Sequence, residues 1–137
     1  MDNTLLTAAP LAGSLLGLPT GDFVVAEWED PGGSPDPPRY IAPLHLHHHD
    51  DEAWYVLEGS LCVLSGDSVI LANAGCGVFV PKGAPHTYWN PLKERTRYLL
   101  IMTANIHQLI SAIHAMTERT PEKMKDLFRR YESELLG

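Results

Sequence analysis

The chain has 137 residues, 45% of them hydrophobic and 20% charged, a composition that indicates one globular domain and excludes a disordered chain. Two cysteines are too few for a disulfide scaffold. A formal net charge of -7 argues against nucleic acid or an anionic membrane as a partner.

Residues 1–39 are predicted to form N-terminal strands and a Pro/Gly-rich loop that pack on a barrel. The stretch 11–18 is apolar, and Phe23–Trp28 is rich in the β-branched and aromatic residues typical of strands. The segment 31–38 is rich in proline and glycine, which predicts a surface loop. The first 18 residues contain no Lys or Arg and so lack the basic start of a secretory signal, which leads us to expect a cytoplasmic protein.

Residues 40–103 are predicted to form the barrel core, because short apolar strands alternate there with turns containing Gly, Asn, Asp and Pro. Strands are predicted at Tyr40–His47, Ala53–Leu57, Ser60–Ser65, Ser68–Leu71, Gly77–Val80, His86–Trp89 and Arg97–Met102. Strands of this length at this spacing indicate a mainly β fold, either a sandwich or a barrel.

Residues 104–137 change to helical periodicity. Apolar residues recur at helical spacing from Ile106 to Met116, with Asn105 as the predicted N-cap. Thr120 followed by Pro121 has the order of an N-cap and a first-turn proline, which predicts a second helix running to about Leu136. One domain is therefore expected, with a C-terminal helical hairpin after the β core.

Four of the seven histidines lie between residues 45 and 49. His45 and His47 share one face of the predicted strand, because alternate side chains do, so both imidazoles can reach one ion. Asp50 and Asp51 can turn the chain and bring Glu52 to that face, and His86 is the best candidate for a fourth ligand. A metal site and a run of surface histidines both explain this pattern.

The other histidines are expected to be incidental or to support the site. His48 points away from His45 and His47, which predicts a surface position. His49 shares their parity but lies where the chain turns, so it is a candidate for a supporting or catalytic role. His107 and His114 share a face of the predicted helix, where packing or surface positions are the commoner outcome.

Two motifs resemble those of the cupin family in residue type and in spacing. The first runs from His45 to Gly59 as His-x-His-x4-Glu-x6-Gly, and the second from Gly75 to Asn90 as Gly-x5-Pro-x-Gly-x2-His-x3-Asn. They occur in the cupin order, and the first lacks only the glycine that often precedes it. The resemblance implies a cupin double-stranded β-helix, which is an antiparallel jelly-roll barrel.

The resemblance also implies metal ligands at His45, His47, Glu52 and His86. Three imidazoles and one carboxylate suit one divalent transition metal, namely Fe, Mn, Ni, Cu or Zn. Such an ion would keep coordination positions open for a substrate or dioxygen.

Strand parity predicts the lining of the substrate pocket. Trp54 and Val56 share the face of Glu52, whereas Tyr88 shares the face of His86. Tyr88 and His49 are the candidate catalytic groups. Such a pocket would be aromatic and would offer one phenol for hydrogen bonding.

Three functions are consistent with the cupin resemblance, because the fold hosts all three. A metal-dependent oxygenase-like enzyme acting on a small uncharged or aromatic organic molecule is favoured by the open metal positions and the aromatic pocket. A non-catalytic ligand-binding or sensing module and a metal-dependent isomerase or epimerase are the alternatives. Lys82 is the only Lys or Arg between 40 and 92, which disfavours a phosphorylated substrate. Similar cupins are commonly homodimers, and free N-terminal strand edges lead us to expect one here.

Overall fold

The structure, a computed structural model, describes residues 5–8, 11, 14–33 and 36–137. Its elements follow in the chain order β1 (Leu15–Gly17), β2 (Val24–Asp30), β3 (Tyr40–His47), β4 (Glu52–Glu58), β5 (Ser60–Ser65), β6 (Ser68–Asn73), β7 (Gly77–Val80), β8 (His86–Trp89), β9 (Thr96–Met102), α1 (Ala104–Ala115), α2 (Pro121–Arg130) and β10 (Ser133–Leu135). Within the described ranges, no helix is long and apolar enough to cross a bilayer.

Two five-stranded antiparallel sheets form the body of the protein. Their strand orders are β1-β2-β9-β4-β7 and β10-β3-β8-β5-β6. Side chains alternate between the faces of each strand, so that every second residue of β9 is buried. The inward-facing residues, including Trp54 and Tyr98, form one hydrophobic core. This architecture confirms the predicted mainly β jelly roll with C-terminal helices.

The predicted strands agree closely with the observed ones. β3, β5, β7 and β8 have the predicted bounds, and β4, β6 and β9 are longer by one or two residues. β2 begins one residue after Phe23 and continues to Asp30. In the predicted strand 11–18 only Leu15–Gly17 is a strand, and residues 12–13 lie outside the described ranges, as do residues 34–35 of the 31–38 loop.

The start of the first helix differs from the prediction. Thr103, not Asn105, is the N-cap of α1, and its Oγ1 accepts a hydrogen bond of 3.2 Å from the N–H of Ile106. Thr103 has the extended backbone that ends β9, which places its hydroxyl over the first helical turn. The predicted N-cap of the second helix is confirmed, because the Thr120 side chain accepts from the N–H of Lys123.

The prediction that the second helix continues to Leu136 is wrong. α2 ends at Arg130, Glu132 adopts a left-handed φ of 55°, and Ser133–Leu135 form a strand. This strand pairs antiparallel with β3, with Ser133 opposite His47. Pairing with β3 provides hydrogen-bond partners for the backbone N–H and C=O groups at the open edge of that strand, which a helix at 133–135 would leave unpaired. The free energy gained from this pairing outweighs the helical preference of the segment.

The helical hairpin packs on the barrel through two sets of apolar residues. Ile106 and Ile110 of α1 join the barrel core. Leu109 packs instead with Leu127 and Phe128 of α2. Because α2 leads directly into β10, the hairpin lies beside β3, the strand that carries two of the clustered histidines.

Gly59 should tolerate alanine less well than Gly75, although φ is +83° at the first and +86° at the second. This region costs an L-residue about 1–2 kcal/mol at either position. A Cβ at Gly59 would overlap Thr96 Oγ1 and lie 2.9 Å from Arg95 O, whereas nothing lies within 4 Å at Gly75. We expect Gly59→Ala to lose about 1–3 kcal/mol more unfolding free energy than Gly75→Ala in urea denaturation. Equal losses would contradict this crowding.

Candidate metal centre

Four buried side chains from three strands meet inside the barrel. They are His45 and His47 of β3, Glu52 of β4 and His86 of β8, and one donor atom of each lies within 4.8 Å of the others. His45 Nε2 lies 3.2 Å from His47 Nε2, and His86 Nε2 lies 2.9 Å from Glu52 Oε1. The structure thus brings together the four residues that the sequence predicts as ligands.

The local chain path explains how these residues meet. His45 and His47 are buried on one face of β3, whereas His48 is exposed, in line with strand parity. The turn after β3 is joined to the loop before His86, because Asp51 Oδ1 accepts the N–H of Lys82 at 2.8 Å. The N–H of Gly83 also donates to His47 O at 2.6 Å. These bonds hold the loop that carries His86 against the end of β3.

Each of the three imidazoles is oriented by a hydrogen bond at Nδ1. His45 Nδ1 lies 2.6 Å from Pro43 O, and His86 Nδ1 lies 2.9 Å from Ala84 O. His47 Nδ1 lies 2.7 Å from the Ser133 hydroxyl. A carbonyl can only accept, so Nδ1 carries a proton in the first two rings. All three Nε2 atoms therefore face the centre of the cluster, an outer-shell arrangement typical of metal-binding histidines.

The charges of the cluster follow from burial and from its own contacts. Burial alone would raise the pKa of Glu52, but contacts with the His47 and His86 imidazoles outweigh it and lower that pKa to about 2. Burial, followed by the neighbouring His86 and His47, lowers the pKa of His45 to about 4. Burial also disfavours a charged His86, but its hydrogen bond to Glu52 raises the pKa overall. At neutral pH the cluster holds an anionic carboxylate and a neutral His45.

The donor set fits a metal ion. The Nε2 atoms of His45 and His47 lie 3.2 Å apart. The proton of His45 is on Nδ1, and Ser133 Oγ, which donates to Tyr131 O, can accept a proton carried by His47 Nδ1, which leaves no proton between the two Nε2 atoms. Buried acceptors crowded in this way are costly unless a cation satisfies them. The His/Glu cluster of this fold is therefore positioned for a metal ion, and its mixed nitrogen and oxygen donors suit a divalent transition metal.

A cavity of about 360 Å³ opens beside the cluster, and His45, His47 and Glu52 form part of its wall. The remaining wall is mostly apolar and comes from both the barrel and the helices: Trp28, Ile41, Ala42, Pro43, Leu100, Ile106, Leu109, Ile110, Ile113, Met124 and Phe128. Among the described residues that line the cavity there is no Lys or Arg. The described lining therefore offers no cationic side chain to an anionic ligand, and it includes the carboxylate of Glu29.

Of the three residues predicted to line the pocket, one lines the cavity and two lie in the core. Tyr88 lines the cavity, and its hydroxyl lies 3.1 Å from that of Tyr98. Trp54 and Val56 are fully buried core residues and are not among the lining residues. The Trp54 ring packs behind the cluster, 5.7 Å from the His86 ring between centroids. Strand parity identifies the face on which a side chain lies, but not whether it reaches the open part of that face.

The two candidate catalytic groups also differ. Burial, followed by the neighbouring Tyr98, raises the pKa of Tyr88 well above its usual value, so this phenol stays neutral and can donate a hydrogen bond. His49 is exposed, lies against His48 and borders a second cavity together with Phe79 and Thr103. It is not among the residues that line the cavity beside the cluster.

Sequence reasoning missed several residues around the site. Phe128 packs its ring 5.6 Å from that of His45, and Ser133 binds His47. His114, expected to be incidental, lines the cavity. The apolar residues at helical spacing around His114 are a signal for this position, because they predict that one face of α1 packs against the barrel. Ser133 had no such signal, because its segment was predicted to be helical.

Comparison with known proteins gives a consistent family match. The family model described as "Cupin domain" matches residues 35–102. A cupin protein from Bacteroides fragilis has a TM-score of 0.59 and 18% sequence identity, with 75% of this chain and 86% of that chain covered. A sugar phosphate isomerase from a cupin superfamily, from Silicibacter pomeroyi, has a TM-score of 0.52 and 21% identity, with 61% and 51% covered. At these identities the two structures show a shared fold.

One curated relative is similar over a shorter stretch. Mannose-1-phosphate guanylyltransferase 2 of Escherichia coli O157:H7 is 40% identical over 48 residues, which is 35% of this chain. The chain spans only 10% of the length of that enzyme.

Proposed function

The chain is a small cupin-domain protein, and we propose that it is a metal-dependent oxygenase-like enzyme acting on a small uncharged organic molecule. The main support for this proposal is a buried cluster of three histidines and one glutamate that opens onto a largely apolar cavity. We propose His45, His47, Glu52 and His86 as the ligands of one divalent transition metal. Such an ion would supply Lewis-acid or redox chemistry at positions open to the substrate and dioxygen.

The size and lining of the cavity support the substrate class. About 360 Å³ lies near the lower end of the range for small-molecule pockets. The apolar faces of α1 and β9 suit an aromatic or aliphatic body, and the Tyr88 and Tyr98 hydroxyls offer hydrogen bonds to a polar group. Because burial raises the pKa of Tyr98 to about 12, neither phenol serves as a base at neutral pH.

An isomerase acting on a sugar is the second candidate. It is favoured by the similarity to two proteins of sugar metabolism, a sugar phosphate isomerase and a mannose-1-phosphate guanylyltransferase. Phosphate groups are usually bound by Arg or Lys. Since the described lining contains neither, we rank this candidate below the oxygenase.

The test separates metal binding from catalysis. Protein stripped with a chelator and reloaded with Fe, Mn, Ni, Cu or Zn should retain about one ion per chain with at least one of these metals in metal analysis. The loaded protein should then consume dioxygen with at least one compound from a panel of uncharged aromatics, and the stripped protein should not. Turnover of sugar phosphates without oxygen uptake would favour the isomerase, and binding without turnover would favour a sensing module. Failure to retain any metal would overturn all metal-dependent proposals.

A further inference from the structure

We propose that Ser133 is a positioning residue that fixes the tautomer of His47, so that the C-terminal strand completes the metal centre. The inference rests on the proposed metal site. It concerns a residue that lies 86 positions from the histidine it would position.

The three imidazoles are not held in the same way. His45 and His86 each donate from Nδ1 to a backbone carbonyl two residues earlier on their own segments. The Nδ1 partner of His47 is the Ser133 hydroxyl, at 2.7 Å. Two of the rings are therefore oriented by the chain segments that carry them, whereas the third depends on docking of β10.

The orientation of the Ser133 hydroxyl is fixed by a hydrogen bond of its own. It is 1% exposed, and its Oγ donates to Tyr131 O at 3.1 Å. Because its single proton is used there, the oxygen is left to accept from His47 Nδ1–H. The Nδ1–H tautomer then leaves the Nε2 lone pair of His47 facing the centre of the cluster.

Backbone bonds on both sides of Ser133 fix its place opposite His47. The N–H of His48 donates to Glu132 O at 2.9 Å, and the N–H of Leu136 donates to Leu44 O at 2.8 Å. Ser133 and His47 are direct partners in this antiparallel register. The hydroxyl therefore reaches the ring without any displacement of the strand.

A side-chain amide links the same segment to the helices and to the turn after β3. Asn105 Nδ2 donates at 2.8 Å to Tyr131 O, the carbonyl that also accepts from Ser133. It also donates at 2.8 Å to Asp50 Oδ2. The support of His47 therefore extends from β10 to the start of α1.

Loss of the hydroxyl would free the proton of His47 to move to the other ring nitrogen. His47 Nε2 lies 3.5 Å from Glu52 Oε1, so an Nε2–H tautomer can donate to that carboxylate. In that tautomer one proton is shared between His47 Nε2 and Glu52 Oε1, the two atoms proposed to bind the metal. A metal ion must then displace the proton, which weakens binding even though all four ligands are present.

The experiment compares Ser133→Ala with Ser133→Thr, which keeps a hydroxyl. Ser60→Ala is the matched control, because Ser60 is also a buried serine and its Oγ donates to Asn73 Oδ1 at 2.7 Å. Zn²⁺ titration against a competing chelator should show about 10–100-fold weaker binding for Ser133→Ala. Ser133→Thr should recover most of this loss, and Ser60→Ala should bind Zn²⁺ as the wild type does.

A second readout reports on the His47 ring itself. In metal-free protein, long-range ¹H–¹⁵N NMR should show the Nδ1–H tautomer at His47 in the wild type and a shift toward Nε2–H in Ser133→Ala. Unchanged Zn²⁺ affinity in Ser133→Ala, or an Nε2–H tautomer in the wild type, would overturn the inference. Wild-type protein that binds no Zn²⁺ but shows the expected tautomers would instead count against this metal at the proposed centre and leave the role of Ser133 standing.

Discussion

Replacing His45 and His86 together by alanine should reduce bound metal from about one ion per chain to background. The two rings lie opposite each other on β3 and β8, and the change leaves only His47 and Glu52 to hold an ion. Two ligands in a buried site cannot satisfy a transition-metal ion that suits three imidazoles and a carboxylate. Metal analysis after loading with Zn²⁺ and desalting measures the change.

The matched control is His48→Ala with His49→Ala, which removes the same number of histidines, both from the tract that contains His45. Both side chains are exposed, so this variant should keep its full metal content. Circular dichroism checks the fold of both variants, because the loss of His86 removes a partner of the buried Glu52. Glu52→Gln, which keeps the side-chain volume, provides a second variant. Stoichiometric metal in folded His45→Ala/His86→Ala protein would refute the ligand assignment.

The sequence predicts the cluster through the local strand pattern around His45 and His47 together with the resemblance to the two cupin motifs. Alternation along β3 places His45 and His47 on one face. Glu52 and His86 are assigned as ligands through the resemblance to the two cupin motifs, and both lie in the observed cluster. Turn residues separate the strands clearly enough that four strands have the predicted bounds. Short-range rules of this kind operate within a strand or across one turn.

The remainder of the site depends on contacts between distant segments. The C-terminal residues have an amphipathic helical pattern, and only the open edge of β3 selects a strand at Ser133. Asn105 has the residue type of an N-cap, but its amide binds Asp50 and Tyr131. Neither partner can be identified from spacing alone. The depth of a side chain also cannot be predicted from spacing, since Trp54 has the predicted parity but lies behind the cavity wall.

Phe128 connects the helices to the metal centre. It is 2% exposed, packs with Leu109 and Leu127, and lies edge-on to the ring of His45. It also forms part of the cavity wall. The same side chain therefore holds α2 in place, supports a proposed ligand and limits the volume open to a substrate.

Phe128→Ala should lower the free energy of unfolding by about 3–5 kcal/mol, the usual cost of truncating a buried phenylalanine. Phe79→Ala is the matched control, because Phe79 is 62% exposed and its truncation should change stability by less than about 0.5 kcal/mol. Urea denaturation of the metal-free variants measures both values. Similar losses in the two variants would show that α2 does not pack on the barrel through Phe128. A selective loss in Phe128→Ala would show that Phe128 stabilises the packing of α2, the helix that leads directly into β10 and Ser133.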